Sequence, residues 1–287
     1  MHLRVFIIAM IGFITSITFA QDTGIKFATP TPVLATAAGA VPSTPMDAVT
    51  VVVPSATAIA TVTATPIAEA QIEPQVVTIQ SEDGVSLVGD FYLVDPLSPT
   101  VILLHQLYTN RHSWERGGII GPLLGSHYNV LAVDLRGYGD SRAPIDWHQA
   151  VVDVQLWFNW LRTEGGVRPD AISTMGSSMG STLAIIGCGN DALCRTAIAI
   201  SPGWDYFGID IGDSLSIGLS NRSLLILYSE RDRYPSLDMP QIEETATGLL
   251  SVEVFPANPH GMDLLKFHKD ETLSLILDWL AQYSGRF

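Results

Sequence analysis

Two short runs of this chain carry residue types that could break a carbonyl bond. Gly176-Ser177-Ser178-Met179-Gly180 sets a serine in a G-x-S-x-G pattern. The apolar run Ala171–Met175 before it reads as a strand, and Ser181–Ile186 after it reads as a helix. A turn this sharp needs small flanking residues, and it lifts the central hydroxyl above the sheet. The helix N-terminus beneath it favours a developing anion, and the amide after the nucleophile, that of Met179, is a natural oxyanion donor. The plain alternative is a serine-rich turn with no chemistry. Ser177 is the rival nucleophile by proximity, but it is not at the tip.

Serine attacks a carbonyl only when a base takes its proton, and histidine is the usual base. Of the seven histidines, His260 stands in the loop Pro256–Gly261, after the last apolar strand and before the final helix. It also comes last in the order serine, acid, histidine. His2 falls in the leader. His112, His127 and His148 precede the serine and read as surface or loop residues. His268 reads as a solvated residue of the last helix. The acid should follow the strand Ser223–Ser229, where Asp232, Glu230 and Asp238 compete. In so acidic a chain, Glu230 and Asp238 are more simply solvated loop acids.

These residues need a frame. Val76–Gln80 and Val85–Val94 read as two strands around the turn Glu82-Asp83-Gly84. Thr100–His105, Asn129–Leu135, Ala171–Ser177, Thr196–Ser201, Ser223–Ser229 and Ser251–Phe255 are short apolar runs suited to strands buried on both faces. Between them, Trp147–Leu161 has apolar residues at helical spacing, and Ser178–Ile186 and Asp263–Tyr283 are further helices. Strand–helix alternation predicts an α/β domain over residues 76–287, with a mostly parallel sheet of about eight strands and helices on both faces.

With these residues in place, the chain resembles the α/β-hydrolase family over residues 76–287. Leu103-Leu104-His105-Gln106-Leu107 is similar to that family's L-L-H-G-x segment. Asp134–Ser141 is similar to its D-x-R-G-x-G-x-S segment, and Ser178 matches its nucleophile. Ser201–Tyr206 resembles a segment of dienelactone-hydrolase-like members. The resemblance implies the α/β-hydrolase fold and an acyl hydrolase with a serine–acid–histidine triad. It selects Asp232 as the acid, with Ser229 where glycine is usual, and Leu107 as the second oxyanion amide, with Gln106 as runner-up. Glutamine replaces the family's common glycine at 106, which implies either strain at positive φ or an amide that contacts substrate. His105 is expected to pack behind the loop. Dienelactone hydrolases proper use a cysteine nucleophile, so Ser178 argues against that specific activity.

The rest of the chain bounds these expectations. It carries 29 acids and 15 bases in 287 residues, a net charge of −14, which disfavours nucleic acid and anionic lipid. Residues 1–75 hold four acids and two bases, so most of the charge falls on the catalytic part, where acidity is expected as a surface property and a neutral or cationic substrate with it. Residues 1–20 read as a secretory signal peptide with Ala20 at the cleavage site, the alternative being an uncleaved anchor. Residues 21–75, rich in Thr, Ala and Pro, read as a linker with too many prolines for a helix or a central strand. This places the domain outside the cytoplasm. There Cys188 and Cys194, the only two cysteines, are expected to pair, the alternative being two buried thiols. No metal-ligand spacing is visible and a triad needs no cofactor. The twenty residues from Gly203 to Arg222 leave room for a small flap. Trp204, Tyr206 and Phe207 there, with Tyr108 and Tyr234, either line an aromatic pocket or simply pack. The expected activity is exported serine esterase. The rivals are a prolyl-oligopeptidase-like peptidase and a catalytically silent binding module.

Overall fold

The computed structural model describes residues 72–285. The expected leader, and the linker as far as residue 71, lie outside the described residues. The first strand starts at Gln75, inside the span assigned to the linker.

An eight-stranded sheet forms the centre of the described domain. Its strands are β1 (Gln75–Gln80), β2 (Ser86–Tyr92), β3 (Thr100–Leu104), β4 (Asn129–Val133), β5 (Ile172–Ser177) and β6 (Cys194–Ile200). A small hairpin, β7 (Asp205–Tyr206) and β8 (Ile209–Asp210), stands apart as its own two-stranded ladder. The large sheet is completed by β9 (Ser223–Ser229) and β10 (Leu249–Phe255). The order is β1-β2-β4-β3-β5-β6-β9-β10. β1 and β2 run antiparallel to their neighbours, and the six strands from β4 to β10 are parallel.

The apolar strands are buried on both faces, and successive residues supply two separate cores. Ile102 and Leu104 face one cluster; Val101 and Leu103 face the other. The second cluster is covered by α1 (Ser113–Arg116) and α2 (Ile120–Gly125), two short helices that carried no sequence expectation. The first cluster is covered by α3 (Trp147–Thr163), whose N-cap Asp146 accepts from the Gln149 amide, and by α4 (Met179–Asn190). Ala150, Val154, Trp157, Phe158 and Leu161 form the buried stripe of α3, each large side chain contributing about 2 kcal/mol of burial. α5 (Arg233–Thr245) carried no sequence expectation, and it contains two prolines. Pro235 falls in the first turn, where its missing N–H costs nothing, and Pro240 is accommodated farther in. The expected last helix is two, α6 (Met262–Phe267) and α7 (Lys269–Tyr283), on the second face. His268 stands at the break between them, half-buried with its ring 5.1 Å from that of Phe255, and is not a solvated helix residue.

Part of the acidity is interior, which corrects the expectation of a purely surface charge. Asp90, Asp134 and Asp153 are all buried. Arg111 pairs with Asp90 and Asp134 and, at 2.9 Å, with the more exposed Asp140. Arg136 pairs with Asp153 at 2.8 Å and with Asp83 at 2.7 Å. Such charges stay buried only when paired and hydrogen-bonded. The Asp134–Ser141 segment therefore braces the loop after β4: Ser141 Oγ donates to the Asp134 carbonyl and accepts from the Val88 amide.

α4 lies so close to the sheet that no side chain fits between. A Cβ on Gly180 would meet the Leu104 carbonyl oxygen at 2.0 Å, and one on Gly176 would meet the Gly180 carbonyl at 1.9 Å. Both contacts are backbone, which cannot rotate away. Gly180→Ala is therefore expected to destabilise the domain by about 3 kcal/mol or more. The urea unfolding midpoint measures this, and an unchanged midpoint would contradict the close approach.

Candidate active site

The C-terminal ends of the parallel strands gather the residues that the sequence singled out. Ser178 is the residue between β5 and α4, with φ 53° and ψ −121°, a conformation rare outside glycine. It is 8% exposed, whereas Ser177 is sealed. Its Oγ lies 2.8 Å from His260 Nε2. His260 Nδ1 lies 2.7 Å from Asp232 Oδ2. The buried Asp232 carboxylate can only accept, so it selects the tautomer with the proton on Nδ1. That leaves the Nε2 lone pair to accept the Ser178 hydroxyl proton. The His260 side chain is 36% exposed, so the relay opens to solvent.

Each member is held by a strand end. Asp232 is the N-cap residue of α5, its amide donating to the Ser229 carbonyl. The His260 loop is tied at three neighbouring points. Ser229 Oγ donates to the Pro259 carbonyl at 2.8 Å, so the serine in place of the usual glycine has a structural use. Ser201 Oγ accepts from the Gly261 amide at 2.9 Å. Gln106 Oε1 accepts from the Met262 amide at 2.8 Å and from Ser177 Oγ at 3.1 Å. Sequence reasoning missed Ser201 and Ser229 as ties, because each acts on a residue 60 or 30 positions away, and polar residues at strand ends are common.

Gln106 departs from the expectation of positive φ. Its φ is not positive; the left-handed residue of this loop is Tyr108, at φ 60°. Its side-chain carbonyl faces inward to the nucleophile turn and the histidine loop. The Met262 N–H, an obligate donor, fixes which end of the amide is oxygen. The Leu107 amide takes no partner among the described contacts, and the Met179 amide is one of the orphan donors in the first turn of α4. Met179 directly follows Ser178 in sequence, and Leu107 lies on the loop after β3, the strand that neighbours β5.

His105 packs behind this loop as expected. It is fully buried, its Nδ1 bonded to the Gln106 carbonyl at 2.8 Å and its Nε2 accepting from the Leu135 amide at 3.0 Å. Burial pushes its pKa below the ordinary histidine value. Of the alternative acids, Glu230 is exposed and pairs loosely with Arg231 at 3.6 Å. Asp238 sits in α5 and is no free loop acid: its Oδ2 accepts from the Trp204 amide at 2.8 Å and pins the β7–β8 hairpin. His112 faces Asp90 at 3.3 Å, while His127 and His148 are exposed, and none reaches the triad.

The aromatic residues divide. Trp204 packs against the core, and Tyr206 is half-buried. Tyr108, Phe207 and Tyr234 are exposed, Tyr108 at 89%. Phe207 stacks on Trp147 with centroids 5.6 Å apart, and Tyr206 meets Tyr234 edge-on at 6.0 Å. Cys188 and Cys194 are joined in a disulfide across the loop from α4 to β6.

Comparison with known proteins agrees with this architecture. Residues 99–216 match the family model described as the alpha/beta hydrolase fold. A fluoroacetate dehalogenase of Burkholderia sp. is 45% identical over 61 residues, which is 20% of this chain and only 19% of that relative's length. Among solved structures, the chain is similar to the Pyrococcus furiosus esterase Pf2001, with a TM-score of 0.66 and 21% identity over 75% of this chain and 92% of that one. It is also similar to an esterase from Exiguobacterium antarcticum (TM-score 0.57, 16% identity, 72% and 100% coverage). The dienelactone hydrolase of Anabaena variabilis gives a TM-score of 0.61 at 14% identity, covering 74% of this chain and 99% of that one. At these identities the likeness concerns the fold.

Two outcomes follow from the geometry. Gln106→Ala should free the Met262 amide, so its hydrogen exchange should quicken about five- to tenfold, and Gln106→Glu, which keeps the acceptor, should restore protection. Unfolded His105 takes a proton below its ordinary pKa of about 6.5, which the folded ring resists. The unfolded state then binds more protons, so stability should fall as pH drops below that value. His105→Gln should flatten the urea midpoint between about pH 6.5 and pH 5 relative to the wild type.

Proposed function

This chain belongs to the α/β-hydrolase fold family, and on that premise we propose that it is an exported serine hydrolase that cleaves carboxylic esters. The observation that carries the reading is the continuous relay Ser178–His260–Asp232, with contacts of 2.8 and 2.7 Å.

In this reading Ser178 Oγ attacks the ester carbonyl while His260 Nε2 takes its proton. The buried Asp232 carboxylate holds the imidazole in register and stabilises the imidazolium. The Met179 and Leu107 amides receive the negative charge on the carbonyl oxygen. His260 then gives the proton to the departing alcohol, leaving an acyl-serine. Water attacks that ester with the same base, and the carboxylic acid leaves. No cofactor enters any step.

The identity of the nucleophile bears on the dehalogenase likeness. If Ser178 displaced fluoride from a carbon, it would be left as an alkyl ether, which water does not open under these conditions. Acyl transfer leaves an ester, which the same site can hydrolyse. The exposed Tyr108, Phe207 and Tyr234 favour an ester with an apolar or aromatic part, and the net charge of −14 favours one that is neutral or cationic. Export is supported by the leader-like residues 1–20 and by the disulfide, a bond typical of oxidising compartments.

Hydrolysis of aryl esters of increasing acyl length, beside an aminopeptidase substrate, tests the reading. Ser178→Ala should lower the ester rate by about 10⁴–10⁶. An unchanged rate would sink the mechanism. Peptide cleavage without ester preference would favour a peptidase, and failure of a fluorophosphonate to label Ser178 would favour a binding module.

A further inference from the structure

Gln106 has one end of its side-chain amide in use and the other open. Its Oε1 accepts from the Met262 amide at 2.8 Å and from Ser177 Oγ at 3.1 Å. The same oxygen presses on Gly261, where an added Cβ would collide with it, and Gly261 stands at φ 59°. The Met262 N–H can only donate, so the oxygen faces it and the nitrogen takes the other side. Nε2 carries two N–H donors, and among the described residues no group accepts from either. Gln106 is half-buried, and Nε2 is not one of the side-chain atoms sealed inside the domain without a partner, so it reaches solvent.

That opening lies between the two segments that carry the reacting residues. Ser177 directly precedes Ser178, and Gly261 and Met262 directly follow His260. An amide whose oxygen bridges these segments holds its nitrogen beside both. Gln106 also directly precedes Leu107, whose amide is assigned to the oxyanion. Pinned by two hydrogen bonds and pressed on a glycine, the amide plane cannot turn without breaking both ties. The open donor is therefore preorganised for an acceptor that the protein does not supply.

Resting on the serine-hydrolase reading above, we infer that Gln106 is a specificity-determining residue, its Nε2 donating to a second substrate oxygen beside the scissile carbonyl. The scissile oxygen already has two donors in that reading, the Leu107 and Met179 amides. The donor on the neighbouring side chain is left for another oxygen close by. The substrate class is then an ester with an ether, hydroxyl or carbonyl oxygen near the scissile group, on its acyl or its alcohol side. A plain alkyl ester offers a methylene there and leaves the N–H groups without their partner. Gln106 transfers no proton, so the steps of hydrolysis are unchanged.

Isosteric pairs test this, because an ether oxygen replaces a methylene with little change of shape. The acyl side is probed by p-nitrophenyl methoxyacetate against p-nitrophenyl butyrate, and the alcohol side by 2-methoxyethyl acetate against butyl acetate. The readout is the ratio of kcat/KM, oxygenated over alkyl, compared between wild type and variant so that intrinsic reactivity cancels. Gln106→Glu keeps an acceptor for Met262 and Ser177 and removes the donor, while Gln106→Ala removes both. In both variants the ratio should fall about five- to tenfold on one side, the contribution of one hydrogen bond, and that side identifies the oxygen. Ratios within about twofold of wild type on both sides would overturn the inference, whatever the absolute rates do. They would leave Gln106 a tie between loops or a donor to the carbonyl oxygen common to every ester. A fall in one variant only would overturn it too, since carboxylate repulsion would explain Gln106→Glu alone and the lost tie Gln106→Ala alone. Unchanged ratios beside hydrolysis abolished in Ser178→Ala would leave the serine-hydrolase reading standing. Hydrolysis that survives Ser178→Ala would overturn that reading and this inference with it.

Discussion

The strained turn at Ser178 is the constraint around which the domain is arranged. A serine at φ 53° costs of order 1 kcal/mol against its relaxed conformation, and it persists only where the surroundings leave no other path. Here the path is set by α4, which rests backbone to backbone on β3 and β5 at Gly180 and Gly176. Almost every residue of α4 is buried, so the helix cannot shift to relieve the turn. The strain is thus carried by two hydrophobic cores, and its product is a hydroxyl held at a fixed point above the sheet.

Around that point the site is built from polar ties between loops far apart in sequence. Gln106 joins the loop after β3 to Ser177 and to Met262. Ser201 joins the end of β6 to Gly261, and Ser229 joins the end of β9 to Pro259. His260 therefore reaches Ser178 because the residues on both sides of it are anchored. Losing one tie would leave a buried partner unpaired, at about 1–3 kcal/mol each. His105 does the same for the other side of the site, joining the Gln106 carbonyl to the Leu135 amide. Beneath them, Arg111 and Arg136 neutralise the buried aspartates and brace the β2–β4 side.

The mouth of the site has a different character. Of its three exposed aromatic residues, Tyr108 and Phe207 stand on loops at positive φ, and Tyr234 stands in the first turn of α5. Tyr108 follows Leu107 directly, and Phe207 follows Tyr206. In both loops a half-buried residue is thus followed directly by an exposed aromatic ring.

The sequence by itself determined the frame and singled out the candidate site residues. Continuous apolar runs and helical spacing are local signals, and they located all eight strands of the large sheet. The glycine-flanked turn and the order serine, acid, histidine pointed to Ser178 and His260, the family resemblance selected Asp232, and the fold brings the three into contact. Tertiary structure decided the rest. It turned the Gln106 amide inward, where its carbonyl accepts from Ser177, 71 residues away, and from Met262, 156 residues away. It made a helix of Arg233–Thr245 despite two prolines, because Met239 and Ile242 find a core to bury against. It broke the last helix at His268, where the ring meets Phe255. It also put part of the acidity inside the domain. All of these depend on which side chains meet across long sequence separations. Periodicity and motif spacing report only on neighbours along the chain, so those meetings are set by packing.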